Sequence, residues 1–138
     1  MQPVARIASS VVFVSDLARS VAFYRDVFSC DVALQEEDAA LLLTPAGFQL
    51  YLRAMGGSSQ HASGGVGVQH LMWASDTEAD LKHFEQVLRR HNCYVDTHTR
   101  NGVSFVEGRD PDGMRVVIAH PSPQQLPRES LDPRLYGW

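Results

Sequence analysis

The sequence predicts an α+β fold made of two tandem βαβββ modules. Three observations support this prediction. The order strand, helix, three short strands occurs twice, the two copies align at an offset of 60 residues with Asp16 opposite Asp76, and a Gly/Ser-rich stretch lies between them. Such repetition indicates duplication of a supersecondary unit that buries its apolar face against a copy of itself. We assign 1–55 to the first module, 56–65 to a linker, 66–120 to the second module and 121–138 to a C-terminal tail.

The first module opens with an apolar, β-branched segment at 7–14, which is typical of a strand. Ser15 or Asp16 then caps a predicted helix, because small polar side chains accept hydrogen bonds from the free amides of a first turn. The apolar face of that helix comprises Leu17, Val21, Tyr24 and Phe28. Three further strands, separated by acidic and Pro-Gly turns, are predicted at 32–35, 39–44 and 48–53.

The second module repeats this order. A strand is predicted at 66–74, and Ser75-Asp76 is the expected cap of the helix that follows. The helix face carries apolar residues at helical spacing, namely Leu81, Phe84, Val87 and Leu88. The last three strands are predicted at 93–98, 102–107 and 114–119.

Composition and charge argue against several classes of partner. The formal net charge is −4 and no run of Lys or Arg is present, so neither nucleic acid nor an anionic membrane is an expected partner. No segment approaches the roughly 18 consecutive apolar residues of a membrane-spanning helix. The first ten residues, MQPVARIASS, lack the charged start and apolar core of a secretion signal. We therefore expect a cytoplasmic protein.

Cys30 and Cys93 are the only cysteines. A disulfide and two reduced thiols are both open interpretations, and the absence of an export signal favours reduced thiols. Each cysteine begins the strand after its module's helix, where a small buried apolar side chain fits. We therefore interpret both as core residues without a redox role.

Three segments, taken together, resemble a known family. They are VSDLARSVAFYRDVFSCDV at 14–32, GVQHLMWASD at 67–76 and RDPDGMRVVIA at 109–119. In this order they resemble the vicinal oxygen chelate superfamily, which contains the glyoxalase, bleomycin resistance protein and extradiol dioxygenase families. The resemblance covers about residues 6–120. It implies that the curved sheets of the two modules form an open cup that holds the ligand and any metal.

The DPDG sequence in the third segment also has a local explanation. Pro111 presets φ for the first central position of a tight turn, and Gly113 accepts the positive φ that follows. We take this motif as evidence for a hairpin and not for a ligand site.

The resemblance also implies where a metal would bind. Metal-dependent members take ligands from four inward strand positions: His or Gln on the first strand, Glu on the fourth, His on the fifth and Glu on the eighth. These positions match Ser9 (or Ser10 after a one-residue shift), Tyr51, His70 and Val117. Only His70 is a competent ligand for the ions that imidazole and carboxylate suit. The expectation is therefore that the protein has no metal site and no cofactor.

Strand alternation, combined with the resemblance, predicts the residues that line the cup. Val11 and Val117 are expected to line it, and the predicted ligand-binding residues are Ser9, Phe13, Tyr51, His70, Met72 and Arg115. An apolar and aromatic surface with a few polar groups is typical of a small-molecule pocket. Trp73, next to Met72, is expected to face the helix instead. The alternative is that bulky side chains simply fill the cup.

Three of these residues have two interpretations each. His70 is either a packed, neutral histidine or a donor, acceptor or general base in the cup, since its ordinary pKa of ~6.5 allows both states. Tyr51 either hydrogen-bonds a ligand or plugs the site. Arg115 either pairs with an acidic ligand or lies at the surface, as strand arginines commonly do.

Three functions follow from these alternatives. The leading hypothesis is a small-molecule binder that takes an aromatic or hydrophobic ligand without a metal. The second is a glyoxalase- or dioxygenase-like enzyme, a lyase or dioxygenase in which His70 is the surviving ligand or the catalytic general base. The third is a protein with a filled cup that binds a partner through its tail.

Two expectations concern assembly. The tail ends in Leu135, Tyr136 and Trp138, which favours docking onto its own module or across a dimer. We also expect a homodimer, because members of the superfamily it resembles commonly form dimers and open sheets leave edges that pairing can cover.

Overall fold

A computed structural model describes residues 7–55, 70–100 and 102–121, together with Pro3 and Ala5. The chain divides into two compact units, Met1–Gln60 and His61–Trp138. The predicted linker, the start of the predicted fifth strand at 66–69 and the tail from 122 onwards lie outside the described residues.

The described residues of the first unit form one helix and one four-stranded mixed sheet. Its elements are β1 (Ser9–Val14), α1 (Leu17–Phe28), β2 (Asp31–Gln35), β3 (Ala39–Leu43) and β4 (Gln49–Ala54). The strand order is β1-β4-β3-β2, with β1 parallel to β4 and the other two pairs antiparallel. The helix therefore serves as the crossover that lets the first strand pair in parallel with the last.

The sequence of α1 explains where the helix begins, where it ends and which face it buries. Asp16 is extended and its carboxylate accepts a hydrogen bond from the backbone amide of Arg19 at 3.0 Å, as one of the two predicted caps. Ser29 ends the helix in the left-handed conformation, with φ of 56°. Tyr24 and Phe28 stack on the buried face with ring centroids 6.0 Å apart.

The second unit repeats the topology. Its elements are β5 (His70–Ala74), α2 (Glu78–Arg90), β6 (Tyr94–Arg100), β7 (Val103–Arg109) and β8 (Arg115–His120). The strand order β5-β8-β7-β6 reproduces the order of the first sheet, with a single parallel pair between β5 and β8. The predicted α+β class and the tandem βαβββ modules are thus confirmed. In the described part of the chain, no helix is long and apolar enough to cross a membrane.

The predicted cap of the second helix is wrong by one residue. Thr77, and not Ser75 or Asp76, precedes α2 in an extended conformation, and its hydroxyl accepts the backbone amide of Asp80 at 3.0 Å. Ser75 is buried and its amide donates to the carbonyl of Ala119 at 2.9 Å. Ser75, which local preference predicts as a cap, is therefore hydrogen-bonded to β8 instead.

The hairpin between β7 and β8 is tighter than predicted. The predicted strand at 102–107 continues to Arg109, because the turn needs only the residues from Asp110 to Met114. The amide of Gly113 donates to the carbonyl of Asp110 at 2.9 Å and Gly113 has φ of 82°, as the DPDG pattern predicts. The Asp110 carboxylate also accepts the amides of Asp112 and Met114, each at 2.9 Å. This hairpin places Arg109 opposite Arg115.

Gly108 lies where β7 packs closely against α2. A Cβ atom at this position would lie 2.9 Å from Cδ2 of Leu88 on the helix and 2.8 Å from the carbonyl oxygen of Cys93. Gly108 and its pairing partner Val116 therefore face α2. Because side chains alternate along a strand, Glu107 and Val117 lie on the opposite face of the sheet.

Candidate functional site

Among the described elements, a helix packs against only one face of each sheet. The opposite face of each sheet is therefore the candidate site. Leu50 and Leu52 of β4 are buried on the side of α1, with 1% and 0% of their surface exposed. The alternate residues form the surface that we call the α1-distal face: Ser9, Val11, Phe13, Leu41, Gln49, Tyr51 and Arg53. The predicted site residues Ser9, Phe13 and Tyr51 all lie on it.

The α1-distal face is apolar at its centre and exposed. Val11 is in register with Tyr51, which is in register with Leu41, so these three side chains form a row across the sheet. Val11 is 61% exposed, Phe13 57% and Tyr51 38%. The Tyr51 hydroxyl donates a 3.2 Å hydrogen bond to Oε1 of Gln49 on the same strand. Tyr51 is thus held within the sheet while its ring stays accessible.

The corresponding surface of the second unit, the α2-distal face, contains the other predicted site residues. His70 is in register with Arg115, and Met72 is in register with Val117. Trp73 pairs with Ile118 on the α2 side, as predicted from the alternation. Unlike its counterpart, this face is buried along β7 and β8, whereas Met72 on the edge strand β5 is 39% exposed. Phe105, Val117 and Ala119 form an apolar cluster on it, with exposed fractions of 3%, 0% and 0%.

Arg115 is buried, so the alternative that it lies at the surface is wrong, and its pairing with an acidic ligand stays a prediction. Only 6% of its side chain is exposed, and its Nε atom lies 3.3 Å from Oε2 of Glu107. Arg109 approaches the same oxygen at 3.7 Å, with 39% of its side chain exposed. Burial is tolerated because Glu107 supplies the opposite charge in a setting where an unpaired guanidinium would be costly.

Glu107 and Arg109 were not predicted as part of this surface. Arg109 lies beyond the predicted end of the seventh strand at 107, and Glu107 lies inside that strand but was not assigned to either face. The signal was nevertheless present in the alternation of Phe105, Glu107 and Arg109, which places all three on one side of a strand. Extending that strand to the DPDG turn would have placed Arg109, as well as Glu107, on the strand that pairs with β8. The ion pairs of Glu107 with Arg109 and Arg115 depend on the register between β7 and β8.

The sequence matches the family model described as the glyoxalase/bleomycin resistance protein/dioxygenase superfamily over residues 6–118. The chain belongs to this superfamily. No curated protein matches the sequence. The match agrees with the family resemblance that the three motifs indicate, and with the observed pair of βαβββ modules.

Solved structures of superfamily members are similar to this chain in fold. A glyoxylase/bleomycin resistance protein/dioxygenase domain from Frankia sp. EAN1pec has a TM-score of 0.75 at 18% identity, covering 85% of this chain and 98% of its own. A lactoylglutathione lyase from Agrobacterium tumefaciens has a TM-score of 0.68 at 23% identity, covering 86% and 95%.

A mutant of the fosfomycin resistance protein FosX from Listeria monocytogenes is also similar. That structure contains Mn(II) and 1S,2S-dihydroxypropylphosphonic acid, and it has a TM-score of 0.74 at 14% identity, covering 89% of this chain and 98% of its own. At these identities the likeness supports the fold alone.

The four positions that hold a metal in metal-dependent superfamily members offer few donors in this chain. Val117 is fully buried and its side chain has no donor atom, and the Tyr51 hydroxyl donates to Gln49. Ser9 offers a neutral hydroxyl, which is a weak ligand for these ions. Within either described unit, no three His, Cys, Asp or Glu side chains lie close enough to hold an ion. His70 is the one strong donor of the set, so these residues do not fit the metal of the superfamily.

Both cysteines are free thiols. Cys30 is buried, and burial raises its pKa to about 11, with a further contribution from the neighbouring Asp31 carboxylate. Burial also raises the pKa of Cys93, whose thiol donates to the carbonyl of Leu88 at 3.4 Å. The thiolate is the reactive form. The raised pKa values therefore agree with the interpretation that neither thiol is activated. Cys30 is a core position as interpreted, whereas Cys93 is only half-buried.

We expect Cys30 to react very slowly with a disulfide reagent such as dithiobis(nitrobenzoate) in the folded protein. With a pKa of about 11, on the order of a thousandth of this thiol is ionised at pH 8, and the rate should rise as the pH increases towards that value. The measurement uses Cys93→Ala, which leaves Cys30 alone, before and after unfolding in guanidinium. Reaction of folded Cys93→Ala at the rate of free cysteine would contradict this expectation.

Proposed function

We propose that this superfamily member binds a small aromatic or hydrophobic molecule, and that it does so without a resident metal ion. The observation that carries the proposal is the exposed apolar centre of the α1-distal face, where Val11 and Phe13 are both more than half exposed. Water in contact with such a surface is released when a ligand covers it, which favours binding. Exposed apolar groups with a few fixed polar neighbours are the usual composition of a ligand site.

A neutral fluorophore tests this proposal. N-phenyl-naphthylamine should gain fluorescence with the full chain, and Val11→Ser should weaken its binding about fivefold to tenfold, since a valine contributes about 1 kcal/mol of apolar contact. Val95→Ser is the matched control, because Val95 is an exposed strand valine, 46% exposed, in the other unit. Equal binding by the Val11 and Val95 variants would place the ligand elsewhere.

We also expect purified protein to contain no stoichiometric divalent metal. The reason is chemical, because a lone imidazole at His70 binds such ions far more weakly than three or four convergent ligands do. Elemental analysis after purification without chelator measures this directly. Finding about one Zn, Ni, Fe or Mn per chain, lost in His70→Ala, would contradict it and favour the enzymatic alternative. The catalytic role of His70 and a cytoplasmic location stay predictions.

We further propose that the protein is a homodimer. Strand β2 lies at the edge of its sheet and is exposed along its whole length, including Val32 at 38% and Leu34 at 67%. An exposed apolar edge is a surface that a second copy can cover. Light scattering should therefore give twice the chain mass of 15.3 kDa. A mass of one chain across micromolar concentrations would show that the edge stays unpaired.

A further inference from the structure

We propose that the ligand is an apolar acid and that the guanidinium of Arg53 holds its anionic group. This inference rests on the proposed function, since it takes the α1-distal face as the binding surface. It adds the chemical class of the ligand. The ligand would have an apolar ring system or other apolar skeleton that carries one carboxylate or similar anionic group.

The position of Arg53 supports this assignment. Arg53 is in register with Phe13 on β1 and follows Tyr51 by two residues on β4, so it borders the apolar centre on the same side of the sheet. Residues two apart along a strand are separated by about 7 Å. That distance matches a ring system lying across the row of Val11 and Tyr51 with a carboxylate directed at Arg53.

The charge of Arg53 is available to a ligand. Its side chain is exposed, and among the residues that the structure describes it forms no hydrogen bond or ion pair. Arg115 differs in this respect, because it is buried against the Glu107 carboxylate. A guanidinium pairs with a carboxylate through two parallel hydrogen bonds, which gives both affinity and orientation.

Acidic residues near this site reduce the preference for an anion without cancelling it. Glu36, Glu37 and Asp38 lie in the β2–β3 turn, and the carbonyl of Asp38 accepts the amide of Ala54 at the end of β4. All three side chains are exposed, so water and salt screen them over about 10 Å at 0.1 M ionic strength. A direct contact between a ligand anion and Arg53 is screened less than the longer-range repulsion between that anion and these three carboxylates.

Two probes that differ only in charge test the inference. Naphthoate and naphthamide of the same positional isomer share one apolar body, and calorimetry on the full chain gives both affinities. We expect the folded chain to bind naphthoate at least tenfold more tightly than naphthamide. Arg53→Gln should weaken naphthoate binding about tenfold and leave naphthamide binding unchanged. Arg100→Gln, which removes an exposed arginine from β6 in the other unit, should behave like the unsubstituted chain.

The possible outcomes separate this inference from the proposed function. Equal affinity for both probes, unchanged in Arg53→Gln, would overturn the acid preference and leave the apolar site standing. Failure of both probes to bind at millimolar concentration would overturn both proposals. If, in addition, Phe13→Ser dissociated a dimer in light scattering, a second copy of the chain would be the occupant of this face. Arg53→Gln should melt within about 2 °C of the unsubstituted chain, because exposed substitutions rarely change stability by more than about 0.5 kcal/mol.

Discussion

Gly108→Ala should lower the free energy of unfolding by about 2–3 kcal/mol. The added Cβ would lie 2.8 Å from the carbonyl oxygen of Cys93 and 2.9–3.0 Å from the two terminal carbons of Leu88. The Cys93 oxygen cannot move freely, because it accepts the amide of Arg109 at 2.9 Å. Relief of the contact would therefore stretch that hydrogen bond or push α2 away from the sheet.

Chemical denaturation monitored by circular dichroism measures the effect. Gly113→Ala is the informative comparison, because a Cβ there meets no atom within 4 Å while φ is 82°. Its cost should come only from the left-handed backbone and amount to roughly 1 kcal/mol. If Gly108→Ala were as stable as the unsubstituted chain, α2 and β7 could not pack as closely as the structure places them.

Glu107→Gln should destabilise the protein by about 3 kcal/mol. The substitution removes the carboxylate charge from Arg115, of which only 6% is exposed, at a contact of 3.3 Å. The guanidinium stays charged and buried, so the loss reflects desolvation that the carboxylate no longer offsets. The weaker contact with Arg109, at 3.7 Å and closer to solvent, contributes less.

A double substitution distinguishes charge burial from packing. Glu107→Leu combined with Arg115→Leu removes both charges and should be closer in stability to the unsubstituted chain than Glu107→Gln is. Asp26→Asn removes the partner of Arg25 in an exposed pair, with side chains 55% and 47% exposed, and should change stability by less than about 0.5 kcal/mol. Equal effects of Glu107→Gln and Asp26→Asn would show that water reaches the Glu107 pair.

The site residues illustrate what alternation along a strand can predict. Ser9, Phe13 and Tyr51 were assigned to one surface because side chains two apart share a face, and the structure places them together on the α1-distal face. The same rule, with the resemblance, assigned His70, Met72 and Arg115 to the same cup, and the structure places them on the α2-distal face of the second unit. A cup shared by the two faces stays a prediction, as does the role of these residues in ligand binding. Alternation fixes the face of a residue but carries no information about what covers that face.

The sequence by itself determined the order of elements, the duplication and the superfamily. These follow from local preferences: Asp16 caps α1, DPDG forms a tight turn, and apolar residues at helical spacing define the buried side of each helix. Tertiary structure alone decided where tertiary contacts override these local preferences. Ser75 is buried beside β8, so Thr77 caps α2 instead.

Tertiary structure also decided the difference between the two sheets. Two strand arginines differ in burial. Arg115 is buried against Glu107, whereas Arg53 is exposed beside Phe13. The physical reason is that the cost of burying a charge depends on the partner that strand pairing brings to it. The β7–β8 hairpin brings Glu107 beside Arg115, whereas among the described residues no carboxylate pairs with Arg53.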